Sequence, residues 1–306
     1  APLKGRDILT LSEFAPKEIN QILKQSLMLA RQRRPSQKLK GKTVAMIFQK
    51  PSTRTRASFE TAVHQLGGHA MYLSWNEMQL GRGETIHDTA KVLDRYVDAI
   101  MARVFSHEDL EELAKHAQAP VINGLSDKHH PCQILADLLT LLQHKRKLKG
   151  LKLAYVGDGN NVCNSLLIGC AKTGVNITVA TPAGYRPDPE AVRLAEEAAS
   201  ETGAGVKVIE DPETAVNSAD AVYTDTFVSM GLEKEKEERL RAFLPKYQVN
   251  EKLFSLAKPD AIFLHCLPAH RGEEVTDQVI DGPNSAVWDE AENRLHTSKA
   301  LLTLLL

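Results

Sequence analysis

Thr43-Val44-Ala45-Met46-Ile47-Phe48, then Gln49-Lys50-Pro51-Ser52-Thr53-Arg54-Thr55-Arg56, then Ala57-Ser58-Phe59-Glu60-Thr61-Ala62-Val63 is the stretch that decides how this chain is read. An apolar run of strand length ends at a proline, and a polar cluster opens an amphipathic helix. Ser52–Arg56 puts three hydroxyls and two guanidinium groups in five consecutive positions. The first-turn N–H groups of such a helix have no partner inside it and carry the positive end of its dipole. Hydroxyls add donors, and a guanidinium grips two phosphate oxygens at once. An isolated arginine pair here would read as a capped helix facing water. Both arginines beside three hydroxyls point instead to an anion site at the carboxyl end of a strand.

The same alternation runs outward from this stretch. Strands are expected near 43–48, 70–74, 98–102 and 120–123, with helices near 54–66, 86–96 and 107–117 between them. A second series of strands is expected near 151–156, 175–180, 205–209, 220–224, 261–264 and 285–288. Alternation of this kind gives parallel sheets with helical crossovers. The fold class is therefore α/β: two doubly wound parallel-sheet domains of Rossmann-like type, joined by interdomain helices. An opening helix near 15–34 places Ile19, Ile22, Leu23, Leu27 and Ala30 on one face. The basic stretch 144–150 follows a helix over 131–143 and separates a first domain, 1–135, from a second, 150–289. The last helix, 290–306, ends in an apolar run that is expected to pack back onto the first domain.

A length of 306 residues suits two domains. With 38 Lys+Arg against 39 Asp+Glu, no global field favours nucleic acid or an anionic membrane, so a small anion must be caught locally. No apolar stretch reaches the ~18–20 residues a membrane span needs. The four cysteines, 132, 163, 170 and 266, show neither disulfide-framework nor zinc-ribbon spacing, which fits a reducing compartment. A cytoplasmic location is expected. Because the sequence starts at Ala1 without Met, the mitochondrial matrix stays open should a targeting segment have been removed.

Several motifs compete for other chemistries. Gly157-Asp158-Gly159-Asn160-Asn161 begins like a dinucleotide fingerprint, but Val162 replaces the third glycine and Ala180-Thr181-Pro182 lacks the ribose-binding acid. That turn still offers Asn161 to a ligand. Gly41-Lys42-Thr43 precedes its strand and has Ser36 in place of the first glycine, so no phosphate-binding loop is read there. His129-His130-Pro131-Cys132-Gln133 resembles metal ligands, yet Pro131 marks a helix start, which puts His130 and Gln133 on one side as donors for a carbonyl or amide. A histidine satisfied within the fold is the equal alternative. Cys266 ends the run Phe263-Leu264-His265, a position where a cysteine is as readily chemical as inert. Asp225 to Gly231 supplies an acid and a hydroxyl suited to an ammonium group, and the acid-rich run after it, 233–239, reads as a solvated helix face.

Taken in order, Ser-Thr-Arg-Thr-Arg, Met-Ala-Arg-Val (101–104), His-Pro-Cys-Gln (130–133), Gly-Asp-Gly-Asn-Asn, Asp-x-x-x-Ser-Met-Gly and His-Cys-Leu-Pro resemble the aspartate/ornithine carbamoyltransferases from end to end. Glu290-Ala291-Glu292-Asn293-Arg294 extends the likeness to the last helix. The Ser-Met-Gly loop and the cysteine in His-Cys-Leu-Pro look like the ornithine branch. The resemblance implies transfer of the carbamoyl group of carbamoyl phosphate to L-ornithine, a step of arginine metabolism that the same residues serve in the direction of biosynthesis or of breakdown, without cofactor or metal. It implies that Ser52, Thr53, Arg54 and Thr55 hold the phosphate, while Arg103, His130, Gln133, Arg294 and the backbone at Cys266 and Leu267 hold the carbamoyl end. Asn161, Asp225, Ser229 and Met230 would hold ornithine. Arg103, His130 and Cys266 would act in catalysis, with Arg54 and Arg56 neutralising the leaving phosphate. Gln79 looks like a residue lent by a neighbouring subunit, which implies a homotrimer or a multiple of one.

Three rivals are weighed against this. A diamine acceptor such as putrescine would leave Asn161, Asp225 and Ser229 unpaired. A dinucleotide oxidoreductase lacks its glycine and its acid. A catalytically silent binding protein would not need every charged group the reaction uses.

Overall fold

The computed structural model describes residues 3–32 and 35–306. Ala1, Pro2 and the end of the opening helix expected at 33–34 lie outside the described residues. Two units divide the chain: 1–139 with 292–306, and 140–291.

The first unit carries α1 (Pro16–Arg31), β1 (Thr43–Phe48), α2 (Thr53–Gln65), β2 (His69–Ser74), α3 (Ile86–Leu93), β3 (Ala99–Arg103), α4 (His107–His116) and β4 (Val121–Leu125). Its four strands are parallel, in the order β2-β1-β3-β4. Ala45, Ile47, Ile100, Ala102, Leu110 and Val121 form its core. Side chains terminate and start these helices where the sequence offers them: Ser52 Oγ accepts from Thr55 N and Thr85 Oγ1 from Asp88 N.

Helix α5 (Pro131–Lys145) leads into the second unit. There follow β5 (Lys152–Val156), α6 (Asn161–Thr173), β6 (Asn176–Ala180), α7 (Pro189–Thr202), β7 (Val206–Ile209), α8 (Pro212–Val216) and β8 (Ala221–Thr224). The unit closes with α9 (Lys236–Phe243), α10 (Glu251–Phe254), β9 (Ile262–His265) and α11 (Asp277–Ile280). Its five parallel strands run β7-β6-β5-β8-β9, over a core that includes Val156, Val222, Phe227, Phe243 and Phe263. Helix α12 (Val287–Leu305) begins in the second unit and ends in the first, where Leu305 O accepts from Gly5 N at 2.9 Å. Among the described residues no helix is long and apolar enough to cross a membrane.

Both sheets reverse their winding beside a central strand. From β1 the chain moves outward to β2, then returns to place β3 on the other side of β1. From β5 it moves through β6 to β7, then returns to place β8 on the other side of β5. At such a switch point two connections leave in opposite directions and open a crevice at the carboxyl ends of the strands.

The structure departs from the sequence reading in two places. No strand forms at 285–288: Ser285 makes a single bridge to Phe263, and Val287 already starts α12, three residues before the expected helix start. Two backbone bonds, Phe263 N to Asn284 O and Ala286 N to Phe263 O, end the pairing before the apolar pair Val287-Trp288, which belongs to a first helical turn. On α1 the buried residues are Ile19, Ile22, Leu23, Ser26 and Leu29, while Leu27 and Ala30 are only half-buried. Ser26 takes the core position because its hydroxyl donates back to Ile22 O at 2.8 Å and so costs little to bury.

The turn after β5 depends on Gly159, where an added Cβ would stand 2.2 Å from Pro187 N and 2.6 Å from Tyr185 O, both backbone atoms. Gly159→Ala is expected to lose about 1–3 kcal/mol of stability, the usual range for forced overpacking. An unchanged urea-unfolding midpoint would contradict this account of the turn.

Candidate active site

The first unit's crevice lies between the ends of β1 and β3. Ser52, half-buried, is the N-cap of α2, with exposed Thr53 and half-buried Arg54 on the first turn. Among the described residues the Arg54 guanidinium has no hydrogen-bond partner. It stands open to a ligand beside the unpaired N–H groups of the helix mouth. Arg103 ends β3 at a bulge, where Ala102 pairs with Asn123 but Arg103 with Leu125. This irregularity re-aims the strand end, and Arg103 Nη1 approaches Thr55 Oγ1 at 3.5 Å.

Thr55 Oγ1 also accepts from Arg294 Nη2 at 3.1 Å. Arg294 Nη1 donates to Gln133 Oε1 at 2.7 Å, and Gln133 Nε2 donates to Asp137 Oδ1 at 2.9 Å. The carboxylate thus fixes the amide so that its oxygen faces the guanidinium. Thr55, Arg103, Gln133, Asp137 and Arg294 are all buried. Thr55 receives on its lone pairs, so its own O–H is left to donate outward. Gln133 keeps one N–H beyond the one it gives Asp137.

His130, at the start of α5, is buried in the same place. Burial, then the charges of Arg294, Arg103 and Lys50, hold its pKa well below the ordinary value, so the ring is neutral. Lys50 itself is pulled down to about 8, first by burial and then by Arg103. Both shifts come first from burial and then from neighbouring positive charge, and a cluster of like charges at one place favours an anionic ligand. Cys132, next to His130, is not part of this chemistry: burial raises its thiol to about 11, and Sγ donates to Asn123 O at 3.4 Å.

Other expected residues fall elsewhere. Arg56 lies 3.6 Å over the Tyr72 ring with Nε 3.5 Å from Glu60, on the exposed side of the first turn of α2. Gln79 is exposed on a short 3₁₀ turn (Gln79–Arg82), and among the described residues its amide has no partner. Among the described residues no hydrogen bond or ion pair joins Gln79 to the Thr55 cluster.

The second unit's crevice lies between the ends of β5 and β8. Asn160, and not Asn161, caps α6: its Oδ1 accepts from Cys163 N at 3.1 Å and its Nδ2 donates to Asp225 Oδ2 at 2.8 Å. Asn161 follows as the first helical residue, its Oδ1 accepting from Val162 N at 2.9 Å. Asp225 Oδ1 accepts from Thr226 N at 2.7 Å and from the Cys266 thiol at 3.1 Å. Asp225, Asn160 and Cys266 are therefore brought together, whereas Ser229 and Met230 stand further along the loop, Met230 half exposed at 50 %.

Leu267 adopts φ +60°, a left-handed conformation that β- and γ-branched residues rarely take. It is held there by its N–H donating to His265 Nδ1 at 2.8 Å, while His265 Nε2 pairs with buried Glu274 at 2.7 Å. Ligand atoms of Asp225, His265 and Cys266 lie within 4.8 Å of one another, but both His265 nitrogens are committed, which leaves two groups to offer a cation.

Sequence reasoning missed Arg239 and Lys50. The run 233–239 is more than a solvated face: Arg239 Nη1 donates to Asp158 Oδ2 at 2.9 Å and to Phe227 O at 3.1 Å, tying the β5 turn to the loop that carries Ser229 and Met230. Its i,i+4 pair with Glu235 is the only trace in the sequence, and that looks like any surface pair. Lys50 sits in the same strand-to-helix turn as Ser52, a signal that could have been used.

The two switch-point crevices, one rich in guanidinium groups and one built on an acid, define a two-unit α/β transferase of the kind that handles a small anion and an amine. Family models agree with this in detail. Residues 6–143 match the carbamoyl-P binding domain, and residues 149–305 the Asp/Orn binding domain, of aspartate/ornithine carbamoyltransferase. The chain belongs to the aspartate/ornithine carbamoyltransferase family. It is similar to the ornithine carbamoyltransferase of Pyrococcus abyssi, 59 % identical over 99 % of this chain and 96 % of that one. The relative from Pyrococcus furiosus described as the anabolic ornithine carbamoyltransferase is 57 % identical over 99 % of this chain and 97 % of its own length. A solved structure of the ornithine carbamoyltransferase from Pyrococcus furiosus covers 100 % of this chain and 98 % of its own, with a TM-score of 0.97 at 56 % identity.

Asp158 gives the site a pH signature. Burial raises its carboxyl to about 6, against the opposing pull of Arg239. Folding therefore takes up a proton between about pH 4 and 6, and the stability tied to the neutral acid is lost as pH rises through about 6. Wild type should lose stability relative to Asp158→Asn across that window and run parallel to it above pH 7. A difference that is flat from pH 4 to 7 in urea titrations would refute the assignment.

Proposed function

We propose that this protein transfers the carbamoyl group of carbamoyl phosphate to the side-chain amine of L-ornithine, giving L-citrulline and phosphate. The observation that carries the reading is the convergence of Arg103 and Arg294 on the Thr55 hydroxyl at a helix mouth that also bears Ser52, Thr53 and Arg54. Family membership and the ornithine carbamoyltransferases that resemble the chain from end to end support it.

In this proposal Ser52, Thr53, Arg54 and Thr55 take the phosphate, with the N–H groups of α2. Arg103, His130, Gln133 and Arg294 face the carbamoyl end, together with the Cys266–Leu267 backbone. The carbonyl oxygen gains negative charge as the tetrahedral transition state forms. Arg103, neutral His130 and the outward Thr55 O–H are fixed donors suited to it, and the loss of one such donor typically costs ~10²–10³ in rate. Asp225 takes the α-ammonium of ornithine, with Asn161, Ser229 and Met230 completing its site. The attacking amine must be uncharged, and amines of its type titrate near ~10.4, so the free base is scarce at neutral pH. Cys266 positions it and helps its proton leave, without a covalent intermediate.

Gln79, exposed in its own chain, is assigned to the site of a neighbouring subunit, which makes the working form a homotrimer or a multiple of one. We place the reaction in the cytoplasm and in arginine biosynthesis, the direction in the name of the Pyrococcus furiosus relative.

Arg54→Gly should reduce citrulline formation by at least about two orders of magnitude, the scale for losing a key charge-stabilising donor, while leaving the circular dichroism spectrum intact. Near-normal turnover would remove the phosphate assignment. Cys266→Ala should weaken ornithine binding and turnover; an effect confined to carbamoyl phosphate would contradict its placement. Citrulline-type product measured with ornithine, aspartate and putrescine as acceptors tests the acceptor directly, and preference for either of the last two would overturn the proposal.

A further inference from the structure

Away from these residues, the first unit contains a cavity of about 180 Å³ bounded by Leu29, Gln32, Ser36, Gln65, His296 and Lys299, among others. Lys299 is only 6 % exposed, and burial pulls its ammonium below the ordinary lysine range. Its Nζ donates to Gln65 Oε1 at 3.1 Å, and among the described residues it has no carboxylate partner. A largely buried ammonium whose described partner is one neutral amide is a favourable place for a counter-charge.

One turn earlier on α12, His296 is 8 % exposed and faces the same cavity. Its Nε2 pairs with Glu292 at 3.0 Å, and its Nδ1 is buried without a partner among the described residues. The cavity is large enough for several waters or one small polyatomic ion. Its polar walls offer an ammonium, a ring nitrogen, two amides and the Ser36 hydroxyl.

We propose that this cavity binds a small oxyanion of the phosphate class, with Lys299 as its counter-charge and the Gln32 and Gln65 amides and the Ser36 hydroxyl as further contacts. An oxyanion suits this lining: its charged oxygens accept from Nζ and from the side-chain N–H groups of Gln32 and Gln65. Bound there, the ion ties α12 to the connection between α1 and β1. This site is separate from the Thr55 cluster and does not depend on the reaction proposed above.

The test uses the full-length protein with its catalytic site filled by a phosphonate bisubstrate mimic, so that a second anion has only other places to go. Arsenate is the probe, a phosphate analogue that scatters anomalously. Soaked crystals should show an anomalous peak within hydrogen-bond distance of Lys299 Nζ, and the wild-type Tm should rise with arsenate concentration, as for any ligand of the folded state. Lys299→Met should lose both signals.

Gln65→Glu is the second variant. It supplies a built-in carboxylate to the ammonium, so it should melt higher than wild type without arsenate and gain nothing from it. The proposal is overturned if only water occupies the cavity in soaked crystals. It is also overturned if arsenate raises the Tm of Gln65→Glu as much as that of wild type.

Discussion

A parallel strand cannot return to its neighbour by a tight turn, so each sheet must cross over through a helix and somewhere reverse its direction of winding. That constraint places the chemistry. In the first unit the reversal falls between β1 and β3, and the residues delivered there are Ser52–Thr55 from one connection and Arg103 from the other. In the second it falls between β5 and β8, delivering Asn160 and Asp225. Neither pair is close in sequence: Thr55 and Arg103 are 48 residues apart, and Asn160 and Asp225 are 65 apart. The sheets bring them together because the winding order leaves no other place for two loops to meet.

The two crevices then differ in sign. Around Thr55 the buried groups are guanidinium, amide and hydroxyl; burial first, and then the nearby guanidinium charges, hold His130 well below its ordinary pKa and pull Lys50 down to about 8. Around Asp225 the partners are an asparagine amide, a backbone N–H and a thiol, all donors to one carboxylate. The fold is common to both, so the side chains at the crevice, and not the sheets, decide which ligand charge is stabilised. Pre-placed donors of this kind lower a barrier because they need no reorganisation when charge develops.

How much of this was legible in the sequence follows from which signals are local. Nine strands were readable because hydrophobic periodicity and turn residues act within a window of a few residues, and the Ser52–Arg56 cluster was readable because all its parts are contiguous. The tenth expected strand failed at Val287-Trp288, where an apolar pair is equally at home in a first helical turn and only the end of pairing at Ala286 decides. Arg239 was missed for a different reason. Its surface-like pair with Glu235 is local, whereas its bonds to Asp158 and Phe227 O come from residues 81 and 12 positions away. Ser26 was missed because a hydroxyl that bonds its own helix loses its polarity in place, which composition does not reveal. Gln79 shows the remaining limit: it lies exposed on the surface of its own chain, and nothing local in the sequence marks what an exposed amide is for.

Thr55 shows why the identity of a single side chain matters where several would fill the space. Its backbone N–H is spent on the Ser52 cap, which sets the first turn of α2. Its oxygen receives two guanidinium groups carried by β3 and α12, so the lone pairs are occupied and the hydrogen has one direction left. A valine would fill the same volume but leave both guanidinium groups without that acceptor and the crevice without that donor. A serine would keep the hydroxyl but lose the β-branching that holds χ1 in place. The hydroxyl is thus fixed by the guanidinium groups on its oxygen and by its rotamer, and its own hydrogen remains a donor within the crevice.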